Sequence, residues 1–471
     1  MANNKVQLSD GTVLLDLTGD TVTPETLMAG VTAHDAAGNP IVGTVVGIKL
    51  TGIAITTPPT KTAYNAGETF DPDGMVVTAT YSNGAKLTSP SYTFSPVGAL
   101  TAGDTVVTIT YTEGGVTKTA TQAISVKAAI YGVSWDGSSS PLLTRTDTSA
   151  NFPDPVAYMA DISNYGSPFD SIMPWSGMVR STRACGEVVS IPKFWYKLTQ
   201  NGAGVNIQIT NEPLDGFSVC PACMDRGDGK GERDVVYVGR YHCAAGTYKS
   251  TTGAMPATTE LRSAFRTNIH NLGSTVWQMD FATRFTIWLL YIVEYANWNS
   301  QAVIGYGCGN NSAVAMGYTD SMPYHTGTMQ RFRNVFESST QYRYLEGLWE
   351  NVLDWCDGSY NNASGLNIIL DPNKFDDYAN GISVGTPVSG MIGGFAVKNV
   401  SGTYPILISS SASGSGKTYV CDKWSFGARY PIVSAGGSYS PSDEDGLFHI
   451  GYASNRVGGN RIGSRLMDLA A

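Results

Sequence analysis

Thr105-Val106-Val107-Thr108-Ile109-Thr110-Tyr111 runs through Glu113-Gly114-Gly115 into Thr119-Ala120-Thr121-Gln122-Ala123-Ile124-Ser125-Val126. β-Branched and apolar residues alternate with polar ones in both arms, the period-2 pattern of half-buried strands. Glu113-Gly114-Gly115 is the turn between them. The same pattern lies upstream. Ile53-Ala54-Ile55 and Met75-Val76-Val77-Thr78-Ala79-Thr80-Tyr81 read as strands, and Ser82-Asn83-Gly84-Ala85 reads as another hairpin turn. Residues 50–127 are therefore expected to form a small β-sandwich of six or seven strands.

This segment resembles a bacterial immunoglobulin-like domain. The resemblance implies a spacer without a ligand site of its own.

Composition extends the β reading outward. The 471 residues include 53 Gly and 22 Pro, and only 15% are charged. Turns and short strands suit that composition better than long helices. The net charge of −9, with no basic stripe, argues against a nucleic-acid partner. No apolar run reaches the ~18–20 residues of a membrane helix, so membrane insertion is not expected. Phe285 to Tyr295 is the longest candidate, and it carries Glu294. Met1-Ala2-Asn3-Asn4-Lys5 does not read as a signal peptide. Synthesis in a bacterial cytoplasm is expected.

Residues 1–48 are small, polar and rich in turns. Asp16-Leu17-Thr18-Gly19-Asp20-Thr21-Val22 reads as a strand. Thr23 can cap a helical turn that opens at Pro24. His34-Asp35-Ala36-Ala37-Gly38-Asn39-Pro40 is turn chemistry, followed by the strand-like Ile41-Val42-Gly43-Thr44-Val45-Val46. So short a segment buries little core alone, so assembly with a partner or with other copies is expected. From Asp16 to Thr44 it resembles a short module of phage tail proteins. That implies attachment to other tail proteins.

Residues 128–471 make the third unit. Glu260-Leu261-Arg262 follows Thr258-Thr259 in a capping pattern at a helix start. From Asp280 to Tyr295, apolar residues at Phe285, Trp288, Leu289, Ile292 and Tyr295 predict a helix with one buried face. Gly436-Gly437 can mark a tight bend before a strand. Trp349 and Trp355, six apart, would share one face of an extended strand. Arg429 and Arg465 are expected to hold loop carbonyls or a carboxylate such as Asp354.

Three pieces of this unit resemble the C-type-lectin-like fold, in the branch shared by the formylglycine-generating enzyme and the variable proteins of diversity-generating retroelements. They are the helix ending Glu294-Tyr295-Ala296-Asn297, the segment Gly347-Leu348-Trp349-Glu350-Asn351-Val352-Leu353-Asp354-Trp355, and the ordered C-terminal series Phe426-Gly427-Ala428-Arg429, Ser434-Ala435-Gly436-Gly437-Ser438-Tyr439, Gly446-Leu447-Phe448 and Ile462-Gly463-Ser464-Arg465. The expected fold class is thus mainly β, with an α+β C-terminal domain: an N-terminal module at 1–48, an Ig-like sandwich at 50–127 and a lectin-like domain at 128–471.

Within Ser438 to Arg461, small polar residues mix with Tyr, Phe, His and Arg. Antibody loops use the same mixture, rigid aromatics for area and small polar groups for adaptable hydrogen bonds. In the variable proteins this last segment is the ligand-binding face. The resemblance therefore implies contacts at Tyr439, Ser440, Ser442, Asp443, Asp445, Phe448, His449, Tyr452, Asn455, Arg456, Asn460 and Arg461. Diversification of their codons is a further expectation.

Other motifs carry less. Ser411-Ala412-Ser413-Gly414-Ser415-Gly416-Lys417-Thr418 mimics a phosphate loop but has Ser where Gly is needed, and no convincing helix follows. Cys220-Pro221-Ala222-Cys223 with His242-Cys243 has zinc-type ligands at imperfect spacing. Buried thiols and a disulfide are the alternatives. Asp225 to Glu232 is oxygen-rich but lacks the EF-hand pattern and reads as a turn.

A catalytic role is not expected. The oxidase branch works through a cysteine pair near its C-terminus and bound copper, whereas here Cys421 has only the distant Cys356 as its nearest other cysteine. The five histidines, 34, 242, 270, 325 and 449, are scattered singly. No cofactor or metal is expected.

The functional expectation is a phage tail receptor-binding protein, carried on the virion tail and trimeric by analogy with tail fibres. Its partner would be a host cell-surface receptor, a protein rather than a glycan, since no Glu-Pro-Asn or Gln-Pro-Asp sugar motif is found. A bacterial surface adhesin is the alternative, and a formylglycine-generating-enzyme-like oxidase the more remote one.

Overall fold

The computed structural model describes residues 3–309, 312–330, 338–402, 404–427, 431–440, 442–453 and 459–470. The chain is mainly β and divides into two compact units, Met1–Ala128 and Ala129–Ala471. Among the described residues, no helix is long and apolar enough to cross a membrane.

The first unit opens with two small hairpins. Lys5–Gln7 pairs with Val13–Asp16, and Thr32–His34 pairs with Pro40–Val42. The second hairpin turns on Asp35, whose Oδ1 accepts from the amides of Ala37 at 2.9 Å and Asn39 at 2.8 Å. Pro24 starts a turn rather than a helix. The Thr26 amide returns to the Thr23 carbonyl at 3.0 Å and the chain does not continue helically.

Eight strands follow in residues 50–127. One sheet joins Leu50–Thr57, Val76–Tyr81 and Lys86–Thr88; the other joins Thr93–Ser95, Val106–Glu113 and Val116–Ala123. Ala63–Asn65 and Ser125–Lys127 pair in parallel beside them. The period-2 pattern delivers its inward residues to one core. Tyr64, Phe70, Val77, Val107 and Ile109 meet there, with Phe70 edge-on to Phe94 at 5.2 Å. Both predicted hairpin turns form, and Gly114 and Gly115 have φ of +56° and +77°.

The second unit is built around a buried helix. α1, Arg262–His270, begins at Leu261, which makes no side-chain cap bond, so Thr258 and Thr259 do not cap it. α2, Phe281–Tyr295, is capped by Asp280, whose Oδ1 accepts from the Thr283 amide at 2.9 Å. It ends at Ala296 in the left-handed conformation, φ +49°. Every residue of α2 is buried, not one face only. Its two charged residues are paired. Arg284 faces Asp354, and Glu294 accepts from Arg343 at 2.6 and 2.8 Å.

Sheets enclose this helix. One five-stranded sheet has the order Thr144–Asp147, Ile130–Trp135, Gly204–Thr210, Trp195–Asn201, Ser218–Val219. Another has the order Arg180–Arg183, Gly186–Pro192, Val235–Gly239, Leu466–Asp468, Val276–Gln278. An eight-stranded sheet centres on Leu353–Asn362, Ile432–Ala435 and Ile450–Ala453. Trp349 and Trp355 are both fully buried, but the chain turns at 347–350 and Asn351 has φ +66°. They therefore share no strand face and enter separate clusters. Arg465 behaves as the sequence suggests. It donates to the carbonyls of Gly239, Arg240 and Glu346 at 2.6–2.8 Å, and its Nε lies 3.5 Å from Asp354. Arg429 lies outside the described residues.

Ile109 is fully buried in the first unit. Ile109→Ala should cost about 2–4 kcal/mol through lost burial and the cavity left behind. Calorimetry of the full chain should show a lowered transition for the 1–128 unit, with the transition of the 129–471 unit unmoved.

Candidate functional site

The Ser438–Arg461 stretch is carried by an antiparallel pair, Ile432–Ala435 with Ile450–Ala453, in the register Ile432 to Ala453 and Ala435 to Ile450. The connection, 436–449, departs at a glycine pair that follows a strand rather than preceding one. Gly436 has φ +77°, and a Cβ there would lie 2.3 Å from the Leu348 carbonyl oxygen. At Gly437 a Cβ would lie 2.3 Å from the Trp349 carbonyl oxygen. Only glycine allows this close approach.

The inner half of the loop is locked into the core. Buried Asp422 accepts from the amides of Gly446 at 2.7 Å and Phe448 at 2.8 Å. Ser300 Oγ accepts from the Leu447 amide at 3.0 Å, and Arg284 Nη2 donates to the Leu447 carbonyl at 3.2 Å. The Phe448 ring packs against Trp298, Trp288 and Tyr291 at 5.0–5.7 Å between centroids. His449 Nδ1 donates to the Gly436 carbonyl at 2.6 Å. Tyr439 is buried, its amide donates to the Asn351 carbonyl at 2.8 Å, and its ring lies under the Arg461 guanidinium at 5.4 Å.

Three of the expected contacts lie inside rather than on the surface. Phe448, His449 and Tyr439 turn inward because each fills a core position or bridges main chain that water cannot reach. The outer half differs. Ser440 and Asp443 are exposed, and Ser442 and Asp445 half-buried. The Ser442 carbonyl accepts from Gln301 Nε2 at 3.0 Å, and the Glu444 carbonyl from the Lys423 amide at 2.9 Å. Tyr452, Asn460 and Arg461 are also exposed. Asn455 and Arg456 lie outside the described residues. Tyr439 and Arg461 meet beside the 351–353 segment, since the Leu353 amide donates to the Arg461 carbonyl at 2.9 Å. That contact places the 459–461 segment next to the start of the loop.

Sequence reading missed Tyr306 and Gln301. Both come from the segment after α2, far from the C-terminal stretch in sequence. Burial raises the Tyr306 phenol, and the charges of Asp443 and Asp445 raise it further. No local signal marks either residue, because the Gln301 bond to the Ser442 carbonyl joins positions 141 residues apart.

Asp422 is the electrostatic hinge of the loop. Burial pushes its carboxyl up to about 8, against the opposing pull of the Phe448 and Gly446 amides. The other chemical candidates separate in space. His242 Nδ1 pairs with Asp354 at 2.9 Å, while Cys220 and Cys223 sit in their own tight turn. Among the described residues no group of three His, Cys, Asp or Glu is placed to hold a metal ion. The seven cysteines are free and buried. Burial pushes both the Cys421 and Cys356 thiols up to about 12, so neither is a thiolate at neutral pH. Asp228 is taken by Arg233, and Asp225 caps the Gly227 amide at 2.9 Å, so 225–232 folds as linked turns. After Lys417-Thr418, Tyr419 and Cys421 adopt φ of +60° and +67°, and no helix follows.

Residues 57–126 match the bacterial Ig-like domain (group 3) family, and this part of the chain is such a domain. No curated protein matches the chain.

Two outcomes follow from the anchoring. The folded state holds the Asp422 proton more tightly than the unfolded chain, whose value is 3.8. The stability it contributes is complete below that value and lost as pH rises through about 8. The melting temperature of the 129–471 unit should fall from about pH 4 to pH 8 and level off above that, and Asp422→Asn should flatten the fall. Phe448→Ala should cost about 3–5 kcal/mol of stability. A Phe448→Ala protein that melts normally would return this ring to the list of surface contacts.

Proposed function

We propose that this chain is a receptor-binding protein of a phage tail, which recognises a host-surface ligand through the face formed by the outer half of the 436–449 loop, Tyr452 and the 459–461 segment. One observation carries the reading. The loop's inner half is fixed by Asp422, Ser300 and Arg284, while its outer half turns small polar and charged side chains to solvent. A rigid base under an adaptable surface limits the entropy lost on binding.

The rim carries Asp443, Glu444 and Asp445 among Ser440 and Ser442. Such a mixture suits a protein surface with basic groups. The resemblance to retroelement-variable proteins adds that the outward positions are the ones to diversify, since they carry little of the fold. The Ig-like domain serves as a spacer. In the 1–48 module Leu14, Val46 and Ile48 are 61%, 73% and 64% exposed. Apolar residues so placed support attachment to other tail proteins and assembly as a trimer. Several copies on one tail would convert weak single contacts into firm attachment, with gains of ~10²–10⁴. A bacterial surface adhesin would use the same face and spacer; the resemblance of residues 16–44 to a tail module favours the virion.

The test is binding of the labelled full chain to candidate host cells. A variant carrying Asp443→Ala, Tyr452→Ala and Arg461→Ala should bind at least ~10-fold more weakly, a loss of about 1.4 kcal/mol, at an unchanged melting temperature. Saturable binding that survives all three changes would remove recognition from this face.

A further inference from the structure

We propose that a second site, a cleft of about 610 Å³ between the strand Trp195–Asn201 and the hairpin Gly394–Val400/Tyr404–Ser411, binds a neutral saccharide. None of its groups belongs to the 436–461 face, and the inference stands independently of the receptor-binding reading.

The cleft is fixed by the fold. Tyr196 Oη donates to the Pro405 carbonyl at 2.6 Å across its base. Gln200 spans the same two elements, donating to the Phe395 carbonyl at 3.0 Å and accepting from the Val397 amide at 2.9 Å. The walls are therefore in place before a ligand arrives, which reduces the cost of binding.

Its lining selects the ligand by chemistry. Phe217 and Val397 offer an apolar surface, half-exposed in both cases. Lys197 Nζ lies 5.9 Å from the Phe217 ring centroid. Asp225, Glu232 and the Asn399 amide complete the polar lining, and Lys193 holds Glu232 at 3.7 Å. An anion entering here meets two carboxylates, and a cation must compete with Lys193, which already holds Glu232, and with the Lys197 ammonium over Phe217. A wholly apolar ligand would strip water from the charged groups without replacing its hydrogen bonds. A pyranose ring satisfies every wall. Its C–H face covers Phe217 and Val397, and its hydroxyls donate to the carboxylates and accept from the ammonium and the amide. The volume falls within the ~300–1,000 Å³ of small-molecule sites.

The experiment is ligand-observed saturation-transfer NMR on the full chain with glucose, galactose, N-acetylglucosamine, maltose and lactose. Glucosamine and sialic acid serve as the charged counterparts. At least one neutral sugar should receive transfer at ~10 mM, within the weak range of single-site binding. Phe217→Leu, which keeps apolar bulk but removes the ring, should weaken it at least ~10-fold. The exposed pair Asp225→Asn and Glu232→Gln should weaken it too, while Tyr452→Ala on the other face leaves it unchanged. Silence from every neutral sugar, preference for a charged one, or equal transfer in Phe217→Leu would overturn the assignment. Loss of sugar transfer in Tyr452→Ala would overturn it as well, by moving the sugar to the C-terminal face.

Discussion

The second unit hangs on one buried carboxylate. Asp354 is almost wholly removed from water, and burial opposes its charge; His242, Arg465 and Arg284 outweigh that opposition and hold the carboxyl below its ordinary value. A buried charge lacking such partners would be strongly destabilising. These partners also tie the chain together. Arg465 grips the carbonyls of 239–240 and 346–347, and Arg284 grips those of Leu348 and Leu447. Three segments distant in sequence are thereby fixed around one charge, and the base of the 436–449 loop is among them.

This dependence explains why the candidate face is rigid where it meets the body. Asp422, a second buried carboxyl, uses main-chain donors instead of cations. Its two amide bonds orient the segment Gly446–Phe448, so the Phe448 ring enters the aromatic cluster of Trp288, Tyr291 and Trp298. Aromatic packing below and hydrogen-bonded main chain at the waist hold the rim in place, where Ser440 and Asp443 turn their side chains to solvent.

The sandwich of residues 50–127 was the most legible part of the sequence. Its signals are local: alternation within a strand, and Asn83-Gly84 or Gly114-Gly115 at the turns. The second unit was harder because its decisive contacts are long-range. The apolar spacing of α2 predicts one buried face, yet Arg284 and Glu294 find partners in Asp354 and Arg343, far along the chain, and the helix is buried all round. Trp349 and Trp355 looked like one strand face because the left-handed turn at Asn351 carries no glycine to announce it. In the C-terminal stretch, the mixture of Tyr, Phe, His and Ser located the loop without separating its inward half from its outward half. Phe448 and Tyr452 are equivalent in composition, and only the bonds to Asp422 and the strand pairing assign one to the core and the other to the surface.

The position of Leu466–Asp468 has a consequence for how the protein is made. This strand sits between Val235–Gly239 and Val276–Gln278, in the interior of its sheet, although it is synthesised long after both of them. Until it emerges from the ribosome, both neighbours present open edges, a state prone to wrong pairing. The Ig-like sandwich closes on contacts within its own 78 residues and can fold during translation. The second unit cannot complete this sheet until residues 466–468 have been made.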